Sequence, residues 1–164
     1  MAIELGCGQI TWPTGAPEDD VLEDIRKAGY EGVPWAWHLR GRGRDSRSAE
    51  DIRAELSRHN LKPAPGYLGG DFWETERRDE FVAQARRYAE VSAALGLREL
   101  YVAAGGFNKL MPSGRTRRQA AAHATPEDSL TKAEFEQFAD GLNAVAAISR
   151  PCSISCRRQN SPAG

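Results

Sequence analysis

The chain has 164 residues, of which 40% are hydrophobic and 27% charged, with a formal net charge of −1. That size and composition suit a soluble globular chain with one ordinary hydrophobic core, so one domain is expected. The near-zero charge supplies no global field for nucleic acid, and no apolar run approaches the roughly 20 residues needed to cross a bilayer. The start MAIELGCGQI has neither a basic region nor a long apolar stretch of the kind that marks a secretory leader. A soluble, cytoplasmic protein with no nucleic-acid or membrane partner is therefore expected. The three cysteines, Cys7, Cys152 and Cys156, are an odd number and do not build a disulfide framework.

In chain order, residues 3–12 open with a short apolar strand that ends in polar and aromatic residues. Pro13 breaks it, Pro17 suits a first helical position, and Glu18, Asp19 and Asp20 favour a helix start. Val21, Leu22, Ile25 and Ala28 then share one helical face, and Gly29 stops the helix. Residues 30–37 read as a second strand, followed by a Gly- and Arg-rich loop over 38–47. Ser48 with Asp51 makes a capping start for a second helix with Ile52 and Leu56 as its buried stripe and Asn60 at its close.

Residues 61–68 read as a third strand, made irregular by two prolines. After the loop Gly69-Gly70-Asp71-Phe72-Trp73, a longer helix is expected from about Asp79 to Leu95. Phe81, Ala85, Tyr88, Ser92 and Leu95 recur on it at helical spacing, and Gly96 stops it. Residues 98–104, RELYVAA, form the clearest strand, with Leu100, Tyr101 and Val102 as its apolar centre. From Gly105 to Leu130 no periodicity is visible, so a long loop is expected. Arg115, Arg117 and Arg118 in it read as solvated, the alternative being a phosphate contact. Thr131 with Glu134 forms another capping box, and Phe135, Phe138, Leu142 and Val145 mark a fourth helix.

Candidate strands thus begin near residues 3, 31, 62 and 98, so strand–helix units repeat about every 30 residues. Such alternation predicts parallel strands covered by helices, in a doubly wound sheet or an eight-unit barrel. The run Gly6-Cys7-Gly8-Gln9-Ile10-Thr11 lacks the third glycine of a dinucleotide loop, which disfavours the nucleotide-binding sheet. At the expected strand ends stand Gln9, Thr11 and Trp12, then Trp35, Trp37 and His38, then Tyr67 with Asp71 and Trp73 beyond. In a barrel these ends share one rim, where aromatic walls and a few polar groups make a small-molecule pocket suited to a sugar ring. Gln9 can hold a sugar hydroxyl through both its donor and its acceptor.

The strings GCGQITWP, AGYEGVP and LKPAPGYLGGDFW together resemble the sugar phosphate isomerase/epimerase group, with the xylose isomerase-like TIM barrel, over roughly residues 3–149. The resemblance implies an α/β fold, an incomplete (β/α)8 barrel of about four strand–helix units. It implies a sugar or polyol substrate and metal-assisted proton or hydride transfer. Gln9, Trp12, Trp37 and Tyr67 would line the pocket, and His38 falls near the ring-opening histidine that some isomerases carry after the second strand, although its flanking motif differs. The divalent metal of that group is held mostly by Glu, Asp and His on later strands. No metal ligand is carried over, no cofactor is expected for this chain, and little or no turnover is expected of it. Two alternatives stand beside this reading: a non-catalytic half-barrel that self-associates through exposed strand edges, and a small nucleotide-binding α/β protein.

Residues 150–164, RPCSISCRRQNSPAG, abandon the pattern where a fifth, β-branched strand is due. They read as an irregular tail after a 1–149 half-barrel. With only four lysines among 22 basic residues, the chain suggests a GC-rich coding sequence, and out-of-frame translation of such a sequence would yield this composition.

Overall fold

The computed structural model describes residues 5–8, 12–13, 15–36, 47–104, 110–120, 125–149 and 155–158. Helices and strands alternate: α1 (Glu18–Lys27), β1 (Gly32–Pro34), α2 (Ala49–Arg58), β2 (Lys62–Ala64), β3 (Tyr67–Gly70), α3 (Arg78–Ala94), β4 (Glu99–Ala104), α4 (Arg117–Ala120), α5 (Lys132–Ser149) and β5 (Ser155–Arg158).

Every paired strand is parallel. β1 pairs with β2, β3 with β4, and β4 with β5. Ahead of β1, Gly6 bridges Gly32, and the Leu5 carbonyl accepts the amides of Glu31 (2.9 Å) and Gly32 (3.3 Å). The third expected strand is split into β2 and β3 at Pro65-Gly66. The hydrogen bonds hand over there: Trp35 donates its amide to Ala64, and Tyr101 donates its amide to the Gly66 carbonyl at 3.0 Å. Proline can offer no ladder donor, so the path changes partner where the prolines fall. The strands thus follow in chain order, the order of a barrel wall and not the reversed order of a doubly wound sheet.

The helices form where their local chemistry directs. Ser48 Oγ accepts the Asp51 amide at 3.1 Å, and Thr131 and Glu134 exchange the reciprocal bonds of a capping box at 2.9 and 3.2 Å. Gly29 and Gly96 end α1 and α3 at φ of +87° and +78°, and Asn60 takes φ +54° after α2. The expected stripes of α2 and α3 are buried (Ile52 and Leu56; Phe81, Ala85, Tyr88, Ser92 and Leu95), and so are Val21, Leu22 and Ile25 of α1, whereas Ala28, expected on the same face, stands at the C-cap of α1 and is exposed. On α5, Phe138 and Val145 are buried, but Phe135 is 55% exposed, its ring 6.4 Å from that of Phe138.

Within residues 150–164, Ser155–Arg158 pair with Glu99–Val102 as β5, so part of the stretch read as an irregular tail joins the sheet. Parallel pairing uses backbone groups, and it forms here without the β-branched residues that strand composition favours. No described helix is long and apolar enough to cross a membrane.

Candidate functional site

The sheet has two different faces. Successive side chains of a strand point to opposite sides. Leu68 on β3 and Leu100 and Val102 on β4 are buried in the core with Ala85, Tyr88, Ala89 and Ser92 of α3. Alternation therefore places Tyr67, Gly69, Tyr101 and Ala103 on the opposite face, away from α3. The register sets Tyr67 beside Tyr101 and Gly69 beside Ala103. The two tyrosine rings lie 5.3 Å apart, tilted by 36°, as cross-strand neighbours do. Both are only partly buried.

The next layer toward the strand ends, roughly 6.6 Å further along, is small. Gly69 carries no side chain, and a Cβ built there would meet nothing within 4 Å among the described residues. The result is an aromatic floor with an open step above it. Along the neighbouring path three small residues, Gly6, Gly32 and Ala64, stand close together. A Cβ on Gly32 would lie 3.5 Å from that of Ala64, and one on Gly6 would lie 3.7 Å from the same atom.

Two of the tryptophans read as rim residues belong to the other face. Trp35 is fully buried, its ring 4.9 Å from that of Tyr88, and its indole N–H donates to Ser92 Oγ at 3.0 Å. Trp73 is 3% exposed and packs 6.2 Å from the Phe138 ring. Position at a strand end does not say which face a side chain takes, and both indoles are core. Trp12 is partly buried, and its N–H donates to Asp24 of α1 at 3.2 Å. Tyr67 is part of the aromatic floor. Gln9, Trp37 and His38 lie outside the described residues.

After β4 the chain builds a clasp that the sequence reading did not anticipate. The Asp128 carboxylate, with its side chain 2% exposed, accepts from Ser113 Oγ, from the Thr125 amide (3.0 Å) and hydroxyl (3.1 Å), and from Arg115 (3.2 Å). The Ser113 hydrogen bond, followed by the Thr125 amide, holds the Asp128 carboxyl below its usual range. Gln119 caps α4 through Thr116, accepting its amide at 2.9 Å. Arg115 is therefore ion-paired, whereas a solvated residue was expected. The T-x-x-D and T-x-x-Q spacings of Thr125-Asp128 and Thr116-Gln119 were the available signals.

Among the described residues, no three His, Cys, Asp or Glu side chains come together to hold a metal ion. Asp128 is committed to its clasp. The described residues do not fit the divalent metal that the resemblance implies, so no chemical step is derived through one.

No protein-family model and no curated protein matches the sequence. Solved structures do. A sugar phosphate isomerase/epimerase from Parabacteroides distasonis aligns at 11% identity and TM-score 0.59, over 94% of this chain and 50% of that one. An L-ribulose 3-epimerase aligns at 13% identity and TM-score 0.61, over 96% and 49%. A family 2 AP endonuclease from Brucella melitensis aligns at 18% identity and TM-score 0.58, over 95% and 55%. The chain spans about half the length of the structures it matches. Its strand order, its one-sided helix layer and these likenesses agree on one conclusion: the chain has the fold of half of the TIM barrel that sugar isomerases and epimerases share.

Proposed function

We propose that the inward face binds a sugar or polyol, as one half of a barrel of the isomerase/epimerase kind. The observation that carries this reading is the paired floor of Tyr67 and Tyr101 beneath the open step at Gly69. A tyrosine ring offers an apolar surface to the C–H face of a sugar, and a phenol can both donate to and accept from a hydroxyl. Two structural neighbours, a sugar phosphate isomerase/epimerase and an L-ribulose 3-epimerase, support the substrate class. Gln9, Trp12 and Trp37 would complete the sugar contacts, and His38 would open the ring. In a complete barrel the reaction would be a metal-assisted proton or hydride transfer. We assign this chain sugar binding in a cytoplasmic setting.

A titration of the 164-residue chain with L-ribulose, followed by NMR, tests the reading. Saturable shifts centred on Tyr67, Gly69 and Tyr101 are expected, and they should vanish in the Tyr67→Ala, Tyr101→Ala double variant. Shifts confined to the helix layer, or none at millimolar sugar, would refute it. The AP endonuclease neighbour raises a nucleic-acid alternative, but a net charge of −1 offers little to a phosphate backbone.

A second reading has its own observation. Leu5, beside the first bridged residue of the sheet, is 59% exposed. An exposed apolar residue beside a sheet edge that no other described strand covers favours pairing with another chain, and a second copy of this chain is the partner we propose. Light scattering should then give twice the monomer mass, and Leu5→Lys should return the monomer.

A further inference from the structure

The glycines inside the described helices and strands are Gly32, Gly69, Gly70 and Gly141. Packing requires two of them. A Cβ on Gly141 would stand 2.3 Å from the Phe72 carbonyl oxygen, and one on Gly70 would stand 3.0 Å from the Phe81 ring. Gly32 sits in ordinary contact with Ala64 across the inward face. Gly69 has none of these reasons.

Its backbone is not in the left-handed region that favours glycine. The β3–β4 register runs without interruption from Tyr67↔Tyr101 through Gly70↔Ala104, so no bulge calls for it. Among the described residues, a side chain added there would meet nothing within 4 Å of its Cβ. Glycine in a strand interior weakens the strand, and where neither backbone conformation nor packing demands it, it marks a place that something else approaches closely.

We infer that Gly69 is a specificity-determining residue, kept without a side chain so that the edge of a sugar ring can settle against the β3 backbone above the Tyr67–Tyr101 floor. The inference rests on the sugar-binding reading and deepens it. The missing side chain sets the thickness the site admits. A flat, unbranched ketose passes over Gly69, and any side chain there removes that clearance.

The experiment pairs two measurements on the full chain carrying Gly69→Ala or Gly69→Leu. The first is thermal melting without ligand. Gly69→Ala is expected to melt at the wild-type temperature or a few degrees above it, since an unstrained Gly→Ala change restricts the unfolded chain. A melting temperature clearly below wild type would show that the fold itself needs this glycine, and would overturn the inference whatever the ligand does. The second is the L-ribulose titration. The expected result is affinity reduced several-fold in Gly69→Ala and by at least about tenfold in Gly69→Leu, as overfilling a packed space costs. Wild-type affinity in a folded Gly69→Leu variant would overturn the role of Gly69 while leaving the sugar reading intact. Absence of binding to the wild-type chain would instead refute the sugar reading, and the inference with it.

Discussion

The two faces of the same four-residue pairing between β3 and β4 differ in kind. Toward α3, Leu68 and Leu100 are fully buried, joined by Val102 and by Trp35, whose indole is anchored on Ser92. Away from α3, Tyr67 and Tyr101 stay partly open beneath Gly69, a residue with no side chain. One face is packed against the helices, and the other is left with room at Gly69 among the described residues. Stability should therefore depend on the first face and binding on the second, and substitutions on the two sides of one strand should separate these properties.

The largest effect is expected from Leu100→Ala. It removes a fully buried side chain on the helix face and should cost about 2–5 kcal/mol in urea denaturation. Next comes Gly141→Ala. Intrinsic propensity favours alanine in a helix by about 1 kcal/mol, yet the added carbon meets the Phe72 carbonyl oxygen at 2.3 Å, so a loss of about 1–3 kcal/mol is expected. A stabilised Gly141→Ala variant would mean that α5 does not pack as closely on the loop after β3 as described. Tyr101→Ala, one residue from Leu100 but on the open face, should cost only about 0.2–1 kcal/mol, the worth of a cross-strand pair. If Tyr101→Ala matched Leu100→Ala, the contrast between the faces would fail.

The smallest and most local effect concerns acid. The Asp128 carboxyl titrates below its usual range, so its contribution is fully present above an unfolded-state value of about 3.9 and is lost as pH falls through its folded-state value. Below about pH 4, hydrogen exchange should quicken at the Thr125 and Asp128 amides before the α3 core responds. Equal protection of both regions throughout the acid titration would show that the clasp carries no separate stability.

The helices were legible because their signals are local. Capping residues, glycine stops and the 3.6-residue stripe act within one or two turns, and Val21, Ile52, Phe81 and Tyr88 are buried as that stripe requires. The spacing of strand–helix units made the parallel alternation legible but suited a doubly wound sheet as well as a barrel, and the resemblance to the isomerase/epimerase group pointed to the barrel. Facing was harder. Trp35 and Trp73 stand where a rim is expected but turn toward the helices, and Tyr101, read as part of an apolar strand centre, turns the other way. Alternation decides facing, and in strands this short one residue of uncertainty reverses it. The Asp128 clasp was illegible as a whole because it joins Ser113, Arg115 and Thr125 without any period. The pairing of Ser155–Arg158 rests on backbone bonds that side-chain composition does not report.

The burial of Trp35 and Trp73 has a practical optical consequence. Both indoles are wedged on the helical side, one under Ser92 and the other against Phe138. Their fluorescence should emit at the blue end while the helix layer is intact and redden when that layer melts, so these two fluorophores act as a built-in gauge of unfolding. A small molecule arriving at the tyrosine side would leave that gauge unmoved. A screen for ligands that watched only these two indoles would pass over true binders, and one that watched phenol or backbone resonances would find them.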